Sequence, residues 1–158
     1  MAEPLVVLAG HAGFAAGALD AVEMILGPQD GVHAVGLTPD QDPGEVVSAV
    51  AEATDGHPGR VLLLTDLLGG SPGNALAAAF LADERFELLA GVNLPMLLEL
   101  LTKRGREGVD LVRAALDAGG AGVVDVGDRL RAARASAAAT APGPDPDPVP
   151  GPVSDERA

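Results

Sequence analysis

A chain of 158 residues has the length of one domain, and 47% apolar residues are enough for a core, which with 2% aromatics must be built from Leu, Val and Ala. The formal charge of -13 repels a phosphate backbone or an anionic membrane, and only Phe14, Phe80 and Phe86 offer a ring for stacking, so nucleic-acid binding is disfavoured. With no cysteine, no basic stretch near Met1 and no apolar run of the roughly 18 residues a membrane helix needs, the chain has no disulfides or thiolate chemistry and reads as a cytoplasmic protein.

Leu5-Val6-Val7-Leu8-Ala9, stopped by Gly10, suits a strand buried on both faces. A helical pattern from Ala15 to Leu26 follows and ends at Gly27-Pro28. A second strand, Val32 to Leu37, leads into the turn-rich Thr38-Pro39-Asp40-Gln41-Asp42-Pro43-Gly44 and a helix from Glu45 to Thr54. Val61 to Thr65 is a third buried strand, after which Ser71-Pro72, read as N-cap and first helical residue, opens a helix to about Leu81. Phe86 to Val92 is a fourth strand. Asn93 caps a helix from Leu94, Val109 to Ala118 forms another, and Val123 to Val126 reads as a last short strand. Strand–helix alternation implies an α/β fold: a flavodoxin-like three-layer sandwich with a mostly parallel sheet, helices on both faces and strand one beside strand three.

The composition changes at about residue 132. The domain is placed at 1–131, and the Ala-rich, then Pro/Asp-rich segment 132–158 is expected to be a disordered tail, too poor in large apolar side chains to offset its ordering entropy. From Pro142 onward it holds four acids and one arginine, so most of the negative charge belongs to the domain itself.

Open parallel sheets bind ligands beyond the carboxyl ends of their strands, at the point where strand order reverses. Just past strand one stands Gly10-His11-Ala12-Gly13; just past strand three, Asp66-Leu67-Leu68-Gly69-Gly70-Ser71. If the two strands are neighbours, His11 and Asp66 emerge side by side. A neutral imidazole is a nucleophile through one ring nitrogen when a carboxylate holds the proton on the other. Gly69 and Gly70 let backbone N–H groups approach an anion, and the helix opening at Ser71 turns its positive end to it. Phosphoryl transfer needs positioning and charge stabilisation above all, and these parts supply both without a metal or cofactor.

Blander readings stand beside this one. Gly69-Gly70 also suits a tight turn and Ser71 an ordinary cap, and a histidine at a strand end is often structural, which would leave a non-catalytic binding module. His33, alternating within a strand, and His57, in a Gly/Pro turn, read as packed or solvent-exposed. Gly69-Gly70-Ser71-Pro72-Gly73 matches the G-x-S-x-G of serine hydrolases, with Ser71 as nucleophile. Pro72, however, has no N–H for the oxyanion hole, and the order His11, Asp66, Ser71 is not that fold's. No P-loop, dinucleotide fingerprint, receiver-type acidic cluster or metal-ligand spacing occurs, Gly119-Gly120-Ala121-Gly122 reads as a loop, and Lys103-Arg104-Gly105-Arg106-Glu107 reads as solvated.

Three stretches in order, Gly10-His11-Ala12-Gly13, Asp66 through Ala75, and Ala90-Gly91-Val92-Asn93-Leu94-Pro95-Met96-Leu97, make the chain from Leu5 to Val126 resemble the EIIA domain of mannose-family sugar phosphotransferase systems. The Gly-Gly-Ser-Pro loop fits this type better than the related dihydroxyacetone-kinase subunit. The resemblance implies a phosphocarrier in which His11 takes a phosphoryl group from HPr and passes it to a B-domain (EIIB) acceptor. It implies that Asp66 orients His11 and that Gly69, Gly70 and Ser71 lie beside the phosphate.

It further implies a homodimer in which a C-terminal strand, here Val123 to Val126, pairs across the interface, with membrane contact only through EIIC and EIID subunits. Many relatives join A and B domains through an Ala/Pro-rich linker. A similar segment here runs to Ala158, so the acceptor is expected on a separate chain, or else the domain serves as a regulatory sensor of phosphorylation.

Overall fold

The computed structural model describes residues 3–140. Within residues 3–123 four strands, β1 (Leu5–His11), β2 (Val32–Leu37), β3 (Val61–Thr65) and β4 (Phe86–Ala90), form one parallel sheet in the order β2-β1-β3-β4. The helices between them are α1 (Phe14–Leu26), α2 (Pro43–Thr54) and α3 (Ser71–Phe80), followed by α4 (Leu94–Lys103) and α5 (Leu111–Ala121). This is the expected α/β architecture, with strand one hydrogen-bonded to strand three.

The alternation of side chains along a strand divides the core in two. Val6 and Leu8 of β1 and Leu62 and Leu64 of β3 pack with Ala15, Val22, Leu97, Leu100 and Ala115, covering one face of the sheet with α1, α4 and α5. Val7 and Ala9 of β1 and Val61 and Leu63 of β3 point the other way, onto Val46, Val50 and Leu76 of α2 and α3. β3 is buried at all five positions, which is why it reads as an unbroken apolar run. Phe80 stacks on Phe86 at 4.7 Å between centroids, so two of the three aromatic rings go to packing.

Local chemistry sets the helix ends. Asp42 and Glu45 form a reciprocal capping box on α2: the Gly44 N–H donates to the Asp42 side chain, and the Asp42 N–H donates to Glu45 Oε1. Asn93 caps α4 as expected, accepting from the Met96 N–H, while its amide group donates to the Gly119 carbonyl. That contact carries α5 through the glycines read as a loop: Gly119 is buried, and a Cβ there would sit 3.0 Å from Met96 Cε. At α3 the cap position belongs to Gly70 and makes no side-chain cap; Ser71 is the first helical residue, not the N-cap.

Two further expectations are overturned. Val123 to Val126 is not a strand. Asp125 accepts the Arg129 N–H on its carbonyl and the Asp128 N–H on its side chain, so it opens a sixth helix, α6 (Val126–Thr140). That helix runs through 132–140, where the tail was expected to begin, because alanine, the strongest helix former, dominates the stretch. The rest of the expected tail, 141–158, lies outside the described residues.

Candidate functional site

Because β1 pairs with β3 from Leu5↔Val61 to Ala9↔Thr65, the residues leaving the two strands are held side by side. His11 ends β1 and Asp66 follows β3. The His11 backbone N–H donates to Asp66 Oδ2 at 2.8 Å, and His11 Nδ1 lies 2.9 Å from the same oxygen. An ionised Asp66 therefore holds the imidazole proton on Nδ1 and leaves Nε2 with its lone pair. The ring is 45% exposed and the carboxylate 14%, so a half-exposed imidazole stands against a mostly sheltered acid. Burial pushes the Asp66 carboxyl up, but the bonds from the His11 amide and ring outweigh it and hold the acid below its ordinary value.

The turn around His11 is tightly constrained. Ala12 adopts φ 49°, a left-handed conformation that costs a non-glycine residue about 1–2 kcal/mol, and its N–H donates to the Leu37 carbonyl at 2.8 Å. Opposite, the loop after β3 uses Gly69 at φ 77°, where a side chain would be strained. Asn74 Nδ2 donates to the Gly69 carbonyl at 2.9 Å and pins that loop to the first turn of α3.

The glycine pair does not act as one cradle. The Gly70 N–H is already given to the Leu67 carbonyl at 3.1 Å, and a Cβ on Gly70 would stand 2.9 Å from His11 Cε1. Gly70 therefore makes room for the imidazole instead of offering a donor. Ser71 is exposed at the start of α3, where its N–H has no intrahelical acceptor. The start of α1 follows Gly13, close in sequence to His11, and the start of α3 follows Gly70, which lies against the ring. Around it Leu67 is 59% and Leu68 85% exposed, and Phe14 is also exposed, an apolar collar on the rim.

The other histidines stand apart. His33 is exposed on β2. His57, expected in solvent, is half-buried: its Nε2 is enclosed with no hydrogen-bond partner, and its carbonyl accepts from Arg85 Nη1 at 2.8 Å. Arg104, expected in a solvated loop, has a side chain only 9% exposed, its guanidinium donating to the carbonyls of Asp30 and Gly31. Arg104 lines a cleft of about 600 Å³ with Glu3, Arg60, Arg85 and Arg106, at the amino ends of the strands and away from His11. No group of three or more His, Asp or Glu among the described residues could hold a metal ion, and no helix there is long and apolar enough to cross a membrane.

Residues 5–116 match a family model described as the PTS system fructose IIA component. The sorbose-specific EIIA component of Lacticaseibacillus casei is 35% identical over 60% of this chain and 70% of that protein. The mannose-specific EIIAB component of Escherichia coli is 33% identical over 75% of this chain but only 38% of its own length, so the chain spans well under half of that two-part protein. The crystal structure of a phosphotransferase system component EIIA from Streptococcus agalactiae superposes with a TM-score of 0.71 and 29% identity, covering 78% of this chain and 98% of that one. The chain belongs to the mannose, fructose and sorbose EIIA family of the phosphotransferase system, and it is a phosphotransfer carrier component that works with other members of that relay.

Proposed function

We propose that His11 is the phosphorylated residue, receiving its phosphoryl group from the phosphohistidine of HPr and passing it to an EIIB acceptor. The observation that carries this reading is the contact of Nδ1 with Asp66 at 2.9 Å on a half-exposed ring, which leaves Nε2 as the free nucleophile. The Nε2 lone pair attacks phosphorus; the new N–P bond forms as the donor's N–P bond breaks, and that bonding pair returns to the donor's ring nitrogen. The Nδ1 proton stays where it is. Asp66 offsets the positive charge that the phosphorylated imidazole carries, and the Ser71 N–H at the start of α3 faces the transferred oxygens, beside Gly69. Gly70 takes part by admitting the ring.

The collar of Phe14, Leu67 and Leu68 suits a protein donor, whose apolar surface would exclude water during in-line transfer. We include a homodimer in the reading, supported by the place of β4 at the edge of the sheet order and by the exposed Val123, Val124, Val126 and Leu130. The reading places the chain in the cytoplasm, reaching the membrane only through EIIC and EIID subunits.

The test is intact-mass spectrometry after incubation with phosphoenolpyruvate, Enzyme I and HPr at neutral to alkaline pH. One acid-labile phosphoryl adduct is expected, absent in His11→Ala, whose fold survives because the residue sits on a surface rim. An adduct that persists in His11→Ala, or none with cognate active carriers, overturns the assignment; labelling of Ser71 by a fluorophosphonate would favour the hydrolase reading instead. Sedimentation at micromolar concentration decides between monomer and dimer.

A further inference from the structure

Gly36 lies inside β2, an edge strand, where glycine forfeits side-chain packing and costs chain entropy. Its backbone is extended, so no unusual dihedral angle calls for it. What calls for it is proximity: a Cβ built on Gly36 would run into the Ala12 carbonyl oxygen and stand 3.4 Å from the Ala12 carbonyl carbon. Both are backbone atoms, which cannot rotate aside as a side-chain tip would.

Gly36 pairs with Gly10 in the register, and Leu37, the next residue, pairs with His11 and accepts the Ala12 N–H. The turn that carries His11 is thus folded down onto the end of β2, with Ala12 at φ 49° as the bend. On its other side the His11 N–H is taken by Asp66. The peptide units on both sides of the His11 side chain are held, one by β2 and one by the loop after β3, and the turn held by β2 puts the Ala12 carbonyl oxygen where a side chain at position 36 would stand.

We propose that Gly36 is a positioning residue for His11: by admitting the Ala12 carbonyl it fixes the turn that aims the imidazole at Asp66. This rests on the reading of His11 as the phosphorylated residue, but its structural half is measurable without phosphorylation. Adding a methyl group at position 36 displaces the 12–13 peptide, loosens the Ala12–Leu37 hydrogen bond and turns the ring away from Asp66 Oδ2, so that Nδ1 no longer holds its proton so firmly.

The experiment compares wild type, Gly36→Ala and the double variant Ala12→Gly/Gly36→Ala. The imidazole ¹⁵N resonances of His11, assigned with His11→Gln, report the tautomer. Rapid-quench phosphorylation by phospho-HPr reports kcat and KM, and circular dichroism and thermal unfolding report the fold. Gly36→Ala is expected to keep a cooperative fold, shift the His11 ¹⁵N signals toward an averaged tautomer and lower kcat at least ten-fold with KM changed less than three-fold. In the double variant glycine at position 12 lets the turn re-form, so part of the loss and of the shift is recovered.

An unchanged His11 spectrum in a folded Gly36→Ala overturns the proposal, as does a loss that Ala12→Gly does not relieve. Should Gly36→Ala fail to fold, a folded double variant with a displaced His11 signal supports it, and a double variant that also fails to fold overturns it. Wild type that takes up no phosphoryl group overturns the carrier reading, while the imidazole spectra still decide the role of Gly36.

Discussion

The two ends of the sheet are built from different materials. At the carboxyl end the loops leaving the strands, residues 12–13, 38–42, 66–70 and 91–93, contain no lysine or arginine; around the pair of His11 and Asp66 they place glycines and helix starts. At the amino end stand Arg60, Arg85, Arg104 and Arg106, and each of the first three is tied down: Arg60 to Glu87, Arg85 to Asp83, and Arg104 to the carbonyls of Asp30 and Gly31. One end holds no cation and ties its carboxylate to an imidazole. The other spends its charge closing the ends of strands and loops. The two ends should accordingly respond to mutation in different currencies, rate at one and stability at the other.

The sharpest break of that pattern would come from Asp66→Asn. Losing a charge-assisted hydrogen bond costs about 1.5–3 kcal/mol, which in the transition state corresponds to roughly ten- to hundred-fold slower phosphorylation of His11. Single-turnover kinetics with phospho-HPr should show that fall with only a small loss of stability beside it; unchanged kinetics would remove Asp66 from its role. Arg104→Ala should do the reverse. Stripping a nearly buried guanidinium from two carbonyls costs about 1–3 kcal/mol of stability in urea unfolding and leaves the phosphorylation rate intact. A slower rate there would mean that the two ends are coupled.

Gly70→Ala comes next. With a methyl 2.9 Å from His11 Cε1, the ring must shift by a few tenths of an ångström, and a several-fold slower transfer with near-normal stability is expected. Stability at acid pH should give the smallest signal. The folded-state pKa of Asp66 lies below its unfolded value, so between the two the unfolded chain binds more protons. The stabilisation is therefore whole above the unfolded value of 3.8 and is lost as pH falls through the folded one. Urea unfolding of wild type and Asp66→Asn should show the wild-type advantage present at pH 6 and shrinking below about pH 4. An advantage independent of pH would mean that the ionised carboxylate is not what His11 binds.

Much of this was legible in the sequence, for reasons that are local or topological. The buried runs of β1 and β3 announce a parallel sheet, and a parallel sheet with those strands adjacent brings His11 to Asp66. What escaped depended on contacts between distant segments. Gly36 looks like a weak point in a strand until the turn beyond His11 is seen to rest on it, and Gly70 looks like a donor until its N–H is found bonded to Leu67. Arg104 sits in a run of charges that suggests solvent, yet carbonyls more than 70 residues away draw it in. Two misreadings were local: Val123 to Val126 has the β-branched composition of a strand, but Asp125 is a helix cap, and the alanines after it count toward helix and not toward disorder.

That the loops around His11 lack guanidinium and ammonium groups has a consequence for traffic along the relay. A phosphate locked by arginine forks is comfortable and slow to leave; one resting against amide dipoles and a histidine nitrogen stays poised to depart. On the proposed reading, His11 is such a station, a low-friction stop where the load climbs on and off with little difference in level. On the proposed reading of His11, these four loops supply no cation to steady the phosphoryl group in flight, so the visiting protein is expected to bring one and, with it, to choose the direction of the next hop.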